Sequence, residues 1–200
     1  VGSEMCIRDS NNLDRVKVGN LFPTVTGGFS TTLGYKDFSL YARFDYALGH
    51  TLYNDLAARS LGQYQGSFNI IDMVKDSWSE TNQDTDIPKF YYADQLSKKN
   101  ITRSNNGLTA VDNNSSRFYE KGDYLALREI TLTWNLPKKW INKALMSNAS
   151  VYVTGQNLFY ITGYTGVSPE PAVDTTYGQG LDNGRYPTPK TVLLGLSVTF

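Results

Sequence analysis

The chain has 200 residues, 40% of them hydrophobic, with 19 basic and 19 acidic side chains and hence a formal charge of zero. That balance leaves no electrostatic footprint for nucleic acid or an anionic surface, so no nucleic-acid partner is expected. The single cysteine, Cys6, lies in residues 1–10, so the rest of the chain has neither a disulfide framework nor a thiolate metal site. Residues 1–10 show no periodicity and read as translated adaptor sequence, which leaves 11–200 as the folded part. No apolar run nears the roughly 18 residues of a transmembrane helix, so any membrane role would have to be played by strands.

Two-residue alternation marks the first strand, at about 24–35. Val25, Phe29, Leu33 and Tyr35 share one face, and Thr24, Thr26, Ser30 and Thr32 the other. Only Lys36 and Asp37 separate it from a second strand at 38–49. There Phe38, Leu40, Ala42, Phe44, Tyr46 and Leu48 alternate with Ser39, Tyr41, Arg43, Asp45 and Ala47. A two-residue hairpin pairs Tyr35 with Phe38 and puts both apolar sets on one side. The polar stretch 50–122 follows, with a short helix expected near 71–78 and a stop at Pro88. A connection this long is usually functional or disordered.

The third strand, at 123–136, has Ile130, Leu132, Trp134 and Leu136 on one parity and Leu125 and Leu127 on the other. A β-bulge near Arg128 and Glu129 reconciles the two. Pro137 ends the strand, and a short turn with one helical turn precedes a fourth strand at 149–161. The facing of that strand is open, because Val151 and Val153 argue for one side and Tyr152 and Leu158 for the other. The last strand, at 187–200, alternates Val192, Leu194, Leu196, Val198 and Phe200 with Thr191, Gly195, Ser197 and Thr199, and Leu193 is its exception.

The connections 36–37, 50–122, 137–148 and 162–186 run short, long, short, long, so the two ends of the sheet differ. Transmembrane barrels have this asymmetry, with short periplasmic turns and long extracellular loops. On that topology Tyr35, Phe38, Trp134 and Phe200 fall at the periplasmic ends of their strands and would form an aromatic girdle. The alternative from pattern alone is a soluble β-sandwich, such as a carbohydrate-binding module, with these rings in its core.

Catalytic and metal chemistry find little support. His50 is the only histidine, with no nucleophile elbow or ligand spacing around it, and reads as a loop residue at a strand end. Asp84 and Asp86 lack the calcium-loop pattern and read as solvated acids. Gly178, Gly180 and Gly184 lie between two strands with no helix after them, which fails the context of a phosphate loop. Arg43 and Asp45 occupy the polar strand face, where packing against a plug is favoured over substrate contact. Trp78, Tyr91, Tyr92 and Tyr164 fall in the long connections and offer flat faces to sugar rings or to a lid protein. No catalytic, cofactor-binding or metal residue is assigned, and no cofactor is expected.

The segment Gly184-Arg185-Tyr186-Pro187-Thr188-Pro189-Lys190-Thr191, ending in Gly195-Leu196-Ser197-Val198-Thr199-Phe200, resembles the C-terminus of SusC/RagA-type TonB-dependent receptors. Gly122-Asp123-Tyr124-Leu125 with Leu127-Arg128, Thr131-Leu132 and Leu136-Pro137 resembles an earlier strand and turn of that family. So do Val151-Tyr152-Val153 leading into Gly155-Gln156-Asn157-Leu158-Phe159, then Gly34-Tyr35-Lys36-Asp37-Phe38, and Asp86-Ile87-Pro88. Ala126, Glu129 and Trp134 depart from residues common in the family. The resemblance implies an all-β fold: the C-terminal strands of a large antiparallel transmembrane β-barrel with long extracellular loops. A complete barrel would have about 22 strands and a plugged lumen. The resemblance also implies a SusD-like surface lipoprotein as lid, contact with outer-membrane lipid, and import of glycans or peptides driven by the TonB complex. No plug domain, TonB box or export signal is found in these residues, so the chain is expected to be a fragment, with passive porin behaviour as a further alternative. Phe200 is expected to be the terminus recognised during barrel assembly.

Overall fold

A computed structural model describes residues 16–58, 60, 71–87, 89–90, 116–141, 145–170, 180–184 and 186–200. The expectations for residues 1–10, Pro88, Tyr91, Tyr92 and Gly178 lie outside them. Five strands form one antiparallel meander: β1 (Val25–Tyr35), β2 (Phe38–Leu48), β5 (Tyr124–Asn135), β6 (Asn148–Thr162) and β8 (Thr191–Thr199), hydrogen-bonded in that order. Three short strands, β3 (Thr51–Asn54), β4 (Tyr119–Lys121) and β7 (Leu181–Asp182), form a second sheet from within the long connections. The helical pieces are single turns: α1 (Asp55–Ala58), α2 (Lys138–Ile141), and 3-10 turns at Asp72–Asp76 and Ser116–Phe118. Among the described residues no helix is long and apolar enough to cross a membrane.

The first hairpin has the register that its alternation dictates, with Tyr35 opposite Phe38 and Val25 opposite Leu48. Lys36 takes a φ of 54°, the left-handed conformation that lets a two-residue turn follow the twist of its strands. The expected bulge is also present. Arg43 pairs with Glu129 and Phe44 with Leu127, which leaves Arg128 as the extra residue of β5. This resets the parity, so Ile130, Leu132 and Trp134 share a face with Leu127 and Leu125.

The undecided strand β6 is resolved by a bulge of its own. Leu127 faces Phe159 and Glu129 faces Gln156, so Asn157 and Leu158 together oppose Arg128. Asn157 sits at a φ of 52°, a conformation asparagine tolerates better than most side chains. Val151 and Val153 therefore lie on the same face as Phe159 and Ile161, while Tyr152 lies on the other. The ring of Tyr152 covers Gly195, its partner on β8, in space that a Cβ would fill.

With both bulges in place, one face of the sheet is apolar across all five strands. Phe29, Leu33, Phe38, Leu132, Ile161 and Leu194 are all exposed on it, Leu194 at 77%. Among the described residues no second layer covers this face, which argues against a β-sandwich. Phe38 and Trp134 stack at one end of it, centroids 6.0 Å apart and planes 10° apart, and Trp140 of α2 meets Trp134 edge-on. The opposite face carries Ser39, Tyr41, Arg43, Asp45, Thr131, Thr154 and Ser197, with Leu193 opposite Thr154 and the buried Ala47 and Ala126 among its apolar residues.

An apolar face this wide that no described residue covers, flanked by edges at β1 and β8 that pair with no described strand, is an aggregation surface in water. Residues 16–200 expressed alone in detergent-free buffer should therefore aggregate, as read by light scattering and size exclusion. A soluble monomer that unfolds cooperatively would contradict the single-layer architecture.

Candidate functional site: the inner face and its loop layer

Beyond the ends of β2, β5 and β6 the described parts of the long connections pack onto one another. Gly49, at a φ of 83°, ends β2 and donates its N–H to Asp123 Oδ1 at 2.6 Å, while Thr162 Oγ1 donates to the Asp123 carbonyl at 2.8 Å. One aspartate thus ties the exits of three strands together. A small apolar core of Tyr53, Ala58, Val74, Ile87 and Phe118 supports the layer, with Tyr53 and Phe118 packed edge-on.

His50, expected in a loop at a strand end, is instead 1% exposed. Its Nε2 lies 2.9 Å from the carbonyl of Pro169, and its ring meets Tyr124 edge-on at 6.3 Å. A carbonyl can only accept, so Nε2 carries the proton. Gly122 makes the placement possible, because a Cβ there would run into the imidazole. The residue is therefore a structural junction between two connections, and among the described residues no metal-ligating set accompanies it. Among the described residues no three His, Cys, Asp or Glu side chains group as a metal site. Asp86 is engaged by Arg117, whose Nη1 donates to its carbonyl at 2.6 Å. Trp78, a candidate sugar platform, has the Lys89 ammonium 5.3 Å from its ring centroid, so a cation already occupies one side.

Three carboxylates missed in the sequence hold the layer. Glu120 of β4 accepts from the backbone N–H of Thr165 at 2.9 Å, from its hydroxyl at 2.8 Å and from Asn54 Nδ2 at 3.1 Å. Asp182 of β7 accepts from the buried Tyr164 hydroxyl at 2.7 Å and from the Val167 N–H at 3.1 Å. Glu170 reaches the wall itself. Its Oε1 lies 2.5 Å from Arg128 Nη2 and accepts from the Tyr160 hydroxyl at 2.7 Å. Arg128 also donates to both oxygens of Asp45, at 2.5 and 2.8 Å, in the two-pronged geometry that makes guanidinium–carboxylate pairs strong. Asp45 is thus occupied by this pair, whereas Arg43, on the same face, is exposed. Arg128 was missed as a site residue although the break in alternation marks its position. The loop carboxylates carry no periodic signal at all.

Tyr164, one of the candidate aromatic contacts, is buried by the layer and does not present its face. Burial and the Asp182 carboxylate push its phenol well above the ordinary value near 10. The stabilisation that follows is full below that value and is lost as the pH rises through the higher folded one. Tyr164→Phe should cost the loop layer about 1–3 kcal/mol by leaving Asp182 short of a donor. Limited proteolysis of the intact protein should show faster cleavage within the layer, and the variant should lack the alkaline loosening of the parent.

The geometry is thus a polar, loop-capped inner face backed by a bare apolar outer one. No protein-family model matches the chain. Among curated proteins it is 31% identical over 193 residues to the TonB-dependent receptor P3 of Formosa agariphila, and 32% identical over 194 residues to the TonB-dependent receptor P26 of the same organism. Each alignment takes in 94% of this chain but only 17% and 18% of the relative, so the chain spans less than a fifth of their length. Among solved structures, a chain of the RagAB peptide transporter superposes with a TM-score of 0.68 at 25% identity, over 90% of this chain and 17% of that one. The RagAB peptide importer in the open-open state gives 0.63 at 26% identity, over 89% and 17%. The matched proteins are named as receptors and importers. In sequence and in fold, the chain belongs to the SusC/RagA-type TonB-dependent receptors, as a piece of their β-barrel.

Proposed function

We propose that residues 11–200 form the C-terminal wall of an outer-membrane transporter that imports oligosaccharides or peptides with energy delivered through TonB. The observation that carries this reading is the single-layer sheet, apolar and bare on one face and polar on the other. In a bilayer that is the stable arrangement, because every backbone group is satisfied strand to strand and only apolar side chains meet lipid. The relatives supply the transport chemistry: they are named TonB-dependent receptors, and the structural neighbours are named peptide importers. The plug, the TonB-contacting segment and a SusD-like lipoprotein lid would come from elsewhere in the assembly.

On this reading the loop layer faces the cell surface, and the turn at Lys36 and Asp37 faces the periplasm. Tyr35, Phe38, Trp134 and Phe200 then form the periplasmic aromatic girdle, where amphipathic and aromatic rings favour the interface. Phe200, exposed, follows an alternating strand suited to edge addition by the assembly machinery.

Sidedness is checked with cysteines placed at Met73 and Lys36 of the intact parent. An impermeant reagent on whole cells should label the first and spare the second, and equal labelling would overturn the topology. Leu196→Arg on the outer face should destabilise the barrel by about 2–4 kcal/mol, and Ser197→Arg much less, as measured by unfolding in detergent or lipid. Deleting TonB should abolish uptake of large substrates while leaving the barrel in the membrane. Unchanged uptake would replace active import by passive porin behaviour.

A further inference from the structure

Residues 163–170 leave the end of β6 and turn back across the inner face of the sheet. Their start is fixed within the loop layer, through Tyr164 to Asp182 and Thr165 to Glu120. Their end is fixed to the barrel wall, where the Pro169 carbonyl accepts from His50 and the Glu170 carboxylate meets Arg128 and the Tyr160 hydroxyl. The wall side of this junction is itself built for the purpose. In an uninterrupted strand, position 128 would share the parity of Ile130 and face outward. The extra residue of β5 turns it to the inner face, and the matching bulge at Asn157 keeps β6 in register around it. Bulges commonly serve to re-aim a side chain in this way.

We propose that Arg128 is a positioning residue that latches the connection between β6 and β8 against the inner face, so that the width of the barrel mouth depends on the Arg128–Glu170 pair. The charge arrangement suits a latch that opens and recloses. Asp45 grips the guanidinium from β2 with both oxygens, so when Glu170 departs Arg128 keeps a carboxylate partner and no unpaired cation is left on the wall. Glu170 in turn goes from a half-buried place to water, where a carboxylate is well solvated. Tyr160 supplies a neutral second contact that guides Glu170 back but cannot replace the ion pair. The consequence for transport rests on the import reading above, whereas the latch itself is a property of the fold.

The test uses the intact parent receptor with a nitroxide on a cysteine at Ser168, half-buried between the Val167 N–H held by Asp182 and the latched Glu170. The unmodified receptor should give an immobilised spectrum. Glu170→Gln should give a several-fold shorter rotational correlation time, and Tyr160→Phe a smaller change. The heat-dependent gel mobility of the folded barrel should stay as in the parent, because Arg128–Asp45 survives in both variants. Arg128→Met should mobilise the label as Glu170→Gln does, and if it fails to insert, Glu170→Gln alone still decides the matter. A label as immobile in Glu170→Gln as in the parent would overturn the latch. With a second nitroxide at Met73, exposed in the loop layer, the distance between the two labels should broaden in Glu170→Gln, and a mobilised label with an unchanged distance would overturn the role in setting the mouth. A parent without any uptake would count against import while leaving the label result intact.

Discussion

Everything in this structure follows from one constraint: a strand whose outer side chains meet no other protein layer must find all its backbone partners in its neighbours. β2, β5 and β6 are hydrogen-bonded along both edges. Their ladders leave the outer side chains free to be uniformly apolar, since no polar backbone group has to be reached from that side. The same constraint explains the bulges. A ladder must stay in register across several strands, so an extra residue at Arg128 in β5 calls for a matching one at Asn157 and Leu158 in β6. Parity is thereby restored on both sides of the irregularity, and the outer face stays continuous.

The irregularity also links the wall to the loops. A regular strand can offer the inner face only every second residue, and the bulge adds one more, the guanidinium of Arg128. That group gathers Asp45 from one neighbouring strand, Tyr160 from the other and Glu170 from the connection above. His50 performs a related task through its Nε2, holding the preceding carbonyl of the same connection. The described parts of the loops are consequently a packed layer with its own small sheet and apolar core.

Much of the wall was legible in the sequence because a side-chain period of two is written directly into residue order. The hairpin register followed from Tyr35 and Phe38 flanking a two-residue turn, and the break near Arg128 from the parity clash between Leu127 and Ile130. The facing of β6 was not legible, since Tyr152 and Val153 are both β-prone and the bulge that separates them from Leu158 has no alternation of its own. The loop layer was hidden for a different reason. Glu120 with Thr165, Tyr164 with Asp182 and Arg128 with Glu170 are joined across long or irregular stretches of chain, and nothing periodic connects such partners. His50 illustrates the same limit: its burial depends on Gly122, far along the chain, leaving room for the ring.

The central claim is that this sheet is a membrane wall with lipid on one face and water on the other. It is tested most directly by nitroxide scanning of Thr191–Thr199 in the intact parent reconstituted in lipid, with oxygen and a water-soluble nickel chelate as relaxants. Positions 192, 194, 196 and 198 should be accessible to oxygen and protected from nickel, and the intervening positions should show the reverse, with a period of two. A scan without alternation, or with the two sets exchanged, would contradict the account.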